Sequence, residues 1–177
     1  MRGHTPSRPV GVGLAGWALA LLACVAAVPG ARAEDAGAAL PSNYVAGFVG
    51  TTLGYRPPGG SWEGWQHDAA TTVGYGRQVR PTLALELDVG PTFARGRYSG
   101  FSLVPGVVWS VHPNLYLAAR FAIPVDPETN LVLLPGVGLS RAFGRVMPTL
   151  ELSLSSAVGR GDADLGVSLT AGLLFFF

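Results

Sequence analysis

The chain has 177 residues, of which 49% are hydrophobic and only 13% charged, with twelve Arg, no Lys, eleven acids and a single Cys. That length allows one domain, or at most two small ones, and the charged fraction is well below the roughly 25% of a soluble domain. A disordered charged tail and a disulfide scaffold are excluded, and a net charge of +1 argues against electrostatic capture of nucleic acid.

Residues 1–33 read as a targeting segment. Arg2 and Arg8 precede an apolar run from Val10 to Val28 that carries no charge, and Ala31-Arg32-Ala33 follows, before Glu34-Asp35. A basic start, an apolar centre and an A-x-A exit predict a secretory signal peptide cleaved after Ala33. Two motifs inside it are decoys. Gly11 to Gly16 spells the dinucleotide fingerprint, but that motif needs a preceding strand and a βαβ unit, which a signal peptide lacks. Leu21-Leu22-Ala23-Cys24 resembles a lipoprotein box. Cleavage at the A-x-A site would instead remove Cys24 with the leader. Residues 34–41 are then a short N-terminal linker, and 42–177 a single barrel domain with no apolar run long enough for a transmembrane helix.

From there the periodicity is two. Leu83, Leu85, Leu87 and Val89 alternate with Ala84, Glu86, Asp88 and Gly90; Leu115 to Val125, Leu150 to Leu154 and Leu165 to Phe177 alternate in the same way. Such alternation predicts strands with one bulky apolar face and one small or polar face. Eight are expected, near 43–55, 69–79, 82–90, 101–111, 115–125, 131–141, 147–158 and 165–177; the facing of the first two, which are Gly-rich, is ambiguous. Their lengths approach the roughly 9–11 residues of a tilted membrane strand. Pro41, Pro81, Pro113 and Pro148 stand where odd-numbered strands open, a position that suits a residue without an N–H. Pro105 and Pro135 fall inside even-numbered strands, where a bulge or kink is expected.

Connections at 56–68, 91–100, 126–130 and 159–164 fall on one end of the barrel, and turns near 80–81, 112–114 and 142–146 on the other, the first two clearly shorter than the loops before them and the third not. Longer outer loops and shorter periplasmic turns mark outer-membrane barrels. The bulky residues belong outside, because an eight-stranded barrel has a narrow interior filled by side chains. The expected fold class is therefore all-β: an eight-stranded antiparallel up-and-down transmembrane β-barrel.

The last strand carries Thr170-x-Gly172-x-x-Phe175-x-Phe177. This resembles the assembly signal of outer-membrane proteins, and the chain as a whole resembles the small OmpA/OmpX-like eight-stranded barrels. The resemblance implies export to the outer membrane of a Gram-negative bacterium, recognition by the barrel-assembly machinery, and partners in outer-membrane lipid and lipopolysaccharide.

Candidate chemistry is sparse. Glu86, Asp88, Arg120 and Glu151 fall on polar faces at similar distances from the turns and predict an interior charge cluster that plugs the lumen. A proton path or a buried catalytic group is the functional alternative. Trp62, Trp65 and His67 in the first long loop are the candidate recognition residues. The His-x-Ser pair of PagL-like lipid A deacylases is missing, since His112 is followed by Pro113 and Asn114; a base and a nucleophile could meet at His67-Asp68 and Ser61 in the first loop, where Trp62, Glu63 and Trp65 fit a surface contact equally well. Arg160-Gly161-Asp162 spells an adhesion tripeptide of low specificity. Asp126, Glu128, Asp162 and Asp164 are too few and scattered for the six to eight oxygens of a Ca²⁺ site. Arg141 and Arg145 suit lipid phosphates near a turn. No metal or cofactor is expected. Three functions remain: a structural or loop-displaying outer-membrane barrel, a narrow OmpW-like conduit for small apolar molecules, and a lipid A-modifying enzyme. A soluble lipocalin-like barrel is the rival fold.

Overall fold

The computed structural model describes residues 42–177, apart from 58, 67, 95–96, 126–130 and 159–163. The expected signal peptide and linker lie outside the described residues. So do His67, Asp126, Glu128 and the 160–162 tripeptide.

Eight strands run β1 Asn43–Arg56, β2 Ala69–Arg80, β3 Leu83–Ala94, β4 Arg97–His112, β5 Leu115–Pro124, β6 Leu131–Ser140, β7 Val146–Val158 and β8 Leu165–Phe176. Each pairs antiparallel with the next, and β8 returns to pair with β1, closing the barrel. Closure leaves no row of unpaired N–H and C=O groups, the liability of any open sheet edge. The turn end holds residues 81–82, 113–114 and 141–145, and the loop end holds the other connections. The turn between β6 and β7 closes through reciprocal backbone bonds between Phe143 and Val146 (2.7 and 3.1 Å), with Gly144 at a φ of 61° that only glycine adopts without strain.

Two expectations are corrected. The 91–100 segment is not a loop: Pro91 to Ala94 continue β3 and pair with β4 from Arg97 onward, past a register shift at Thr92/Phe93. Cross-strand contacts explain the extension. The Thr92 hydroxyl donates to the Gly100 carbonyl (3.3 Å), and the Phe93 and Tyr98 rings meet edge-on at 6.3 Å. The central prolines do not shift the register either. Leu103↔Ile123 and Gly106↔Arg120 keep one register across Pro105, and Leu133↔Ser156 and Gly136↔Ser153 keep one across Pro135. Each proline interrupts pairing with one neighbour only. On its other side the ladder is continuous through Leu87↔Pro105 and Ala119↔Pro135. A missing N–H removes bonds from one edge of a strand, and the second neighbour holds the strand in place.

Facing follows the period of two. Leu85, Leu87, Trp109, Leu117, Phe121, Leu152, Leu173 and Phe175 are exposed on the outside. The ambiguous strands resolve likewise: Val45, Val73, Tyr75 and Val79 are exposed, while Tyr44, Ala46 and Gly76 are buried. The core proper sits inside the turn end. There Tyr44, Ala46, Leu174 and Phe176 pack with Phe48, Ala84 and Met147, and the Tyr44 and Phe176 rings lie 5.1 Å apart.

Candidate functional site

Above this apolar plug lies a layer of charge. Glu86 and Asp88 come from β3, Arg120 from β5 and Glu151 from β7; these four are the buried charged residues among those described. The structure brings all four together. Arg120 Nε and Nη2 donate to Glu86 Oε2 at 3.1 and 2.8 Å, and Nη1 donates to both oxygens of Glu151 at 2.6 and 2.7 Å. The planar guanidinium thus bridges two carboxylates from strands on either side of it, a task that lysine, with its single nitrogen, performs poorly. Asp88 Oδ2 stands 3.9 Å from Arg120 Nε, outside hydrogen-bond reach. The Tyr44 hydroxyl donates to Glu86 Oε1 (2.6 Å), tying the charge layer to the apolar plug, and Phe48 presents its ring to the guanidinium at 6.0 Å.

Glycines make this geometry possible. A Cβ on Gly106 would collide with Arg120, on Gly74 with Asp88, on Gly136 with Glu151, on Gly76 with Tyr44 and on Gly138 with Tyr116. Each of these five interior side chains therefore lies over a bare backbone on the adjacent strand. Alternation places Tyr116 on the inner face with Arg120, but charge and alternation alone do not identify Tyr44 and Phe48, on the ambiguous first strand, as members of the interior. Their signal is the facing glycines, such as Gly74 and Gly76 flanking Tyr75, which become legible only once the register is fixed.

Beyond the charge layer the lumen opens into a cavity of about 170 Å³, whose lining includes Asp88, Arg120 and Glu151. A second space of about 260 Å³ continues toward the loop end, sharing Gly50, Ala70, Thr92 and Thr170 with the first.

The residues of the assembly-signal pattern divide by face. Phe175 and Phe177 are exposed outside, Thr170 lines the cavity, and Gly172 is buried where a Cβ would strike Phe48. In the first loop, Tyr55 and Glu63 exchange backbone bonds of 3.1 and 2.7 Å. Trp65 Nε1 donates to Thr51 Oγ1 (2.8 Å), which in turn donates to the Asp68 carbonyl (2.7 Å). The loop is folded back on β1, with Trp62 and Trp65 exposed on it. Around the turn end, Arg77, Arg80 and Arg145 are exposed, and Arg141 lies 5.6 Å from the Phe143 ring.

A closed eight-stranded antiparallel barrel, apolar outside and with a paired ion cluster inside, is the class of protein that these observations define. Among solved structures the chain is similar to Neisserial surface protein A, with a TM-score of 0.58 and 15% sequence identity over 76% of this chain and 97% of that one. It also aligns with a de novo designed transmembrane β-barrel at a TM-score of 0.46 and 14% identity, over 78% of this chain and 97% of that one. At these identities the likeness to the Neisserial protein is one of fold. No protein-family model matches the chain, and no curated protein matches it in sequence.

Proposed function

We propose that the protein is an integral outer-membrane β-barrel of a Gram-negative bacterium, exported by residues 1–33, whose role is structural and surface-displaying rather than enzymatic. One observation carries the reading: the bulkiest apolar side chains stand exposed all round the outside, while Glu86, Asp88, Arg120 and Glu151 are buried within. A water-soluble barrel has the opposite arrangement. In lipid an outward Leu or Phe is at home, and a closed barrel satisfies its backbone without water. The aromatic residues Tyr75, Trp109, Phe143 and Phe177 near the turn end, together with the exposed arginines there, suit one membrane interface. The four-residue ion cluster locks the barrel from within, and the folded first loop holds Trp62 and Trp65 for contacts at the other end. In this reading the partners are outer-membrane lipid, lipopolysaccharide and, during insertion, the barrel-assembly machinery.

The test is cell fractionation followed by electrophoresis of boiled and unboiled outer membrane. The expected result is a heat-dependent mobility shift in that fraction. Release into the soluble periplasm without a shift would overturn the proposal.

A further inference from the structure

We infer that the turn end of the barrel carries two sites for the headgroups of anionic glycerophospholipids, one built by Arg77 and Arg80 and the other by Arg141 and Arg145. The inference rests on the reading of the outer face as lipid-facing and deepens it, by naming the class of lipid that this end prefers.

The argument begins with the division of charge between the two ends. Among the described residues the turn end holds these four arginines and no Asp or Glu side chain; the acids nearest to it, Glu86 and Glu151, are buried and bonded to Arg120 inside the lumen. The loop end is mixed, with Arg56 and Arg97 beside Glu63, Asp68 and Asp164. A surface of one sign draws the opposite sign, and each arginine held at a membrane surface adds to its attraction for anionic lipid. Topology then sets the arginines in two pairs. Arg77 and Arg80 stand where β2 turns into β3, and Arg141 and Arg145 stand in the turn from β6 to β7. In a closed barrel of eight strands those turns lie on opposite walls.

Each pair stands at the head of an apolar wall. Arg77 is exposed and in register with Asn43 and Leu85, and Val73, Tyr75 and Leu87 are exposed further along the same wall. Arg80 is in register with Leu83, whose partner on the other side is the exposed Trp109. On the opposite wall Arg145 is exposed just before Val146, which is in register with the exposed Phe175; Phe143 is exposed in the same turn, and Leu139, Leu152 and Leu173 are exposed further along. A guanidinium donates as a fork that matches two phosphate oxygens, while its stem can lie along apolar surface. A phosphodiester above two acyl chains has the same layout as an arginine pair above an outward apolar wall. A soluble acidic polymer would meet the arginines alone and leave the aromatic and aliphatic surface beside them uncovered, which favours a lipid as the occupant.

The experiment uses the protein expressed from its full sequence, purified in detergent and reconstituted into phosphatidylcholine vesicles, with spin-labelled phosphatidylglycerol and spin-labelled phosphatidylcholine as probes. A heat-dependent mobility shift checks insertion first, for the unaltered protein and every variant. Failure of the unaltered protein to insert would overturn the lipid-facing reading itself, and this inference with it. For the inserted barrel, electron paramagnetic resonance should show phosphatidylglycerol held at the protein surface about fivefold more strongly than phosphatidylcholine, the effect of one arginine at a charged surface. High salt should weaken that preference. Arg77→Gln with Arg80→Gln should remove part of it, Arg141→Gln with Arg145→Gln a further part, and the four changes together nearly all. Arg56→Gln with Arg97→Gln, at the loop end, should leave it in place. Insertion with equal retention of the two lipids would overturn the inference alone. So would a preference unchanged in the fourfold variant, or one lost equally in the loop-end variant. Full displacement of phosphatidylglycerol by inorganic phosphate or by soluble polyglutamate would identify a soluble anion as the occupant and overturn it too.

Discussion

Glu86 and Arg120 bond to each other across a strand that carries neither of them. Glu86 lies on β3 and Arg120 on β5; Gly106 of β4 stands between, in register with both. Because Gly106 has no side chain, the 2.8 Å ion pair spans β4 over bare backbone. On the other side Arg120 reaches past β6, at the level of Gly136, to Glu151 on β7 at 2.6 Å. One arginine on β5 thus links two carboxyl-bearing strands, β3 and β7, across two strands that present glycine, β4 and β6, which contribute the space rather than the charge.

Gly106 is therefore expected to matter as much as the charges it separates. Gly106→Val should displace Arg120 and destabilise the barrel by roughly 1–3 kcal/mol, the usual cost of overpacking. Gly47→Ala is the control, because a Cβ there meets nothing within 4 Å. Denaturant unfolding of the purified barrel measures both; equal midpoints would show that the strand does not need to be bare at Gly106.

Removing the guanidinium leaves Glu86 and Glu151 buried without a cation. Arg120→Met should cost about 3–5 kcal/mol. Adding Glu86→Gln and Glu151→Gln to it should recover much of the loss, since neutral amides carry no uncompensated charge. Thermal unfolding of the single and triple variants distinguishes a charge effect from loss of packing: a triple variant no more stable than Arg120→Met points to packing.

The outward face has its own test. Leu152 is 45% exposed and in register with Val137 of β6 and Leu169 of β8, midway along the strands. Leu152→Arg should lower barrel stability in lipid by roughly 2–4 kcal/mol, the cost near the bilayer midplane. Normal insertion of that variant into the outer membrane would mean that this face does not meet lipid.

Tryptophan fluorescence reports the orientation of the ends. Trp109 is exposed outside the turn end, whereas Trp62 and Trp65 are exposed on the folded first loop. In vesicles carrying bromine-labelled acyl chains, a variant retaining only Trp109 of these three should be quenched more strongly than variants retaining only Trp62 or Trp65. Equal quenching would place the loop in lipid as well.

The final strand offers a folding test. Gly172 is in register with Phe48 of β1, and a side chain there would strike the Phe48 ring. Gly172→Leu should impair closure of β8 on β1 and reduce the heat-modifiable fraction recovered after refolding. Paired with Phe48→Ala it should recover in part, because the space is then vacated. Equal refolding yields for all three would remove the packing role of this glycine.

Much of this architecture is written in the order of the residues. Strict alternation from Leu83 to Val89 and from Leu115 to Val125 defines strands and their faces without reference to partners, since successive side chains of a strand must point to opposite sides. Alternation likewise puts Glu86, Asp88, Arg120 and Glu151 on inner faces. The loop from 91 to 100 was not legible, because Pro91 and the glycines at 96 and 100 read as turn residues while the Phe93–Tyr98 contact that extends the hairpin exists only after β3 and β4 have paired. The facing of β1 and β2 was hidden for a related reason. Glycines such as Gly47, Gly50, Gly74 and Gly76 show no polarity of their own, and which face they occupy is set by the bulky neighbours of the next strand.

The sequence by itself determined the number of strands, the apolar exterior and which charged residues face inward, because these depend on the covalent alternation of side chains along each strand. Only the tertiary structure decided who pairs with whom: that Arg120 hydrogen-bonds Glu86 and Glu151 and approaches Asp88 only to 3.9 Å, and that Arg120, Asp88, Glu151, Tyr44 and Tyr116 each lie over a glycine. Those choices depend on the register between strands distant in the chain, a quantity set by closure of the whole barrel and carried by no single segment.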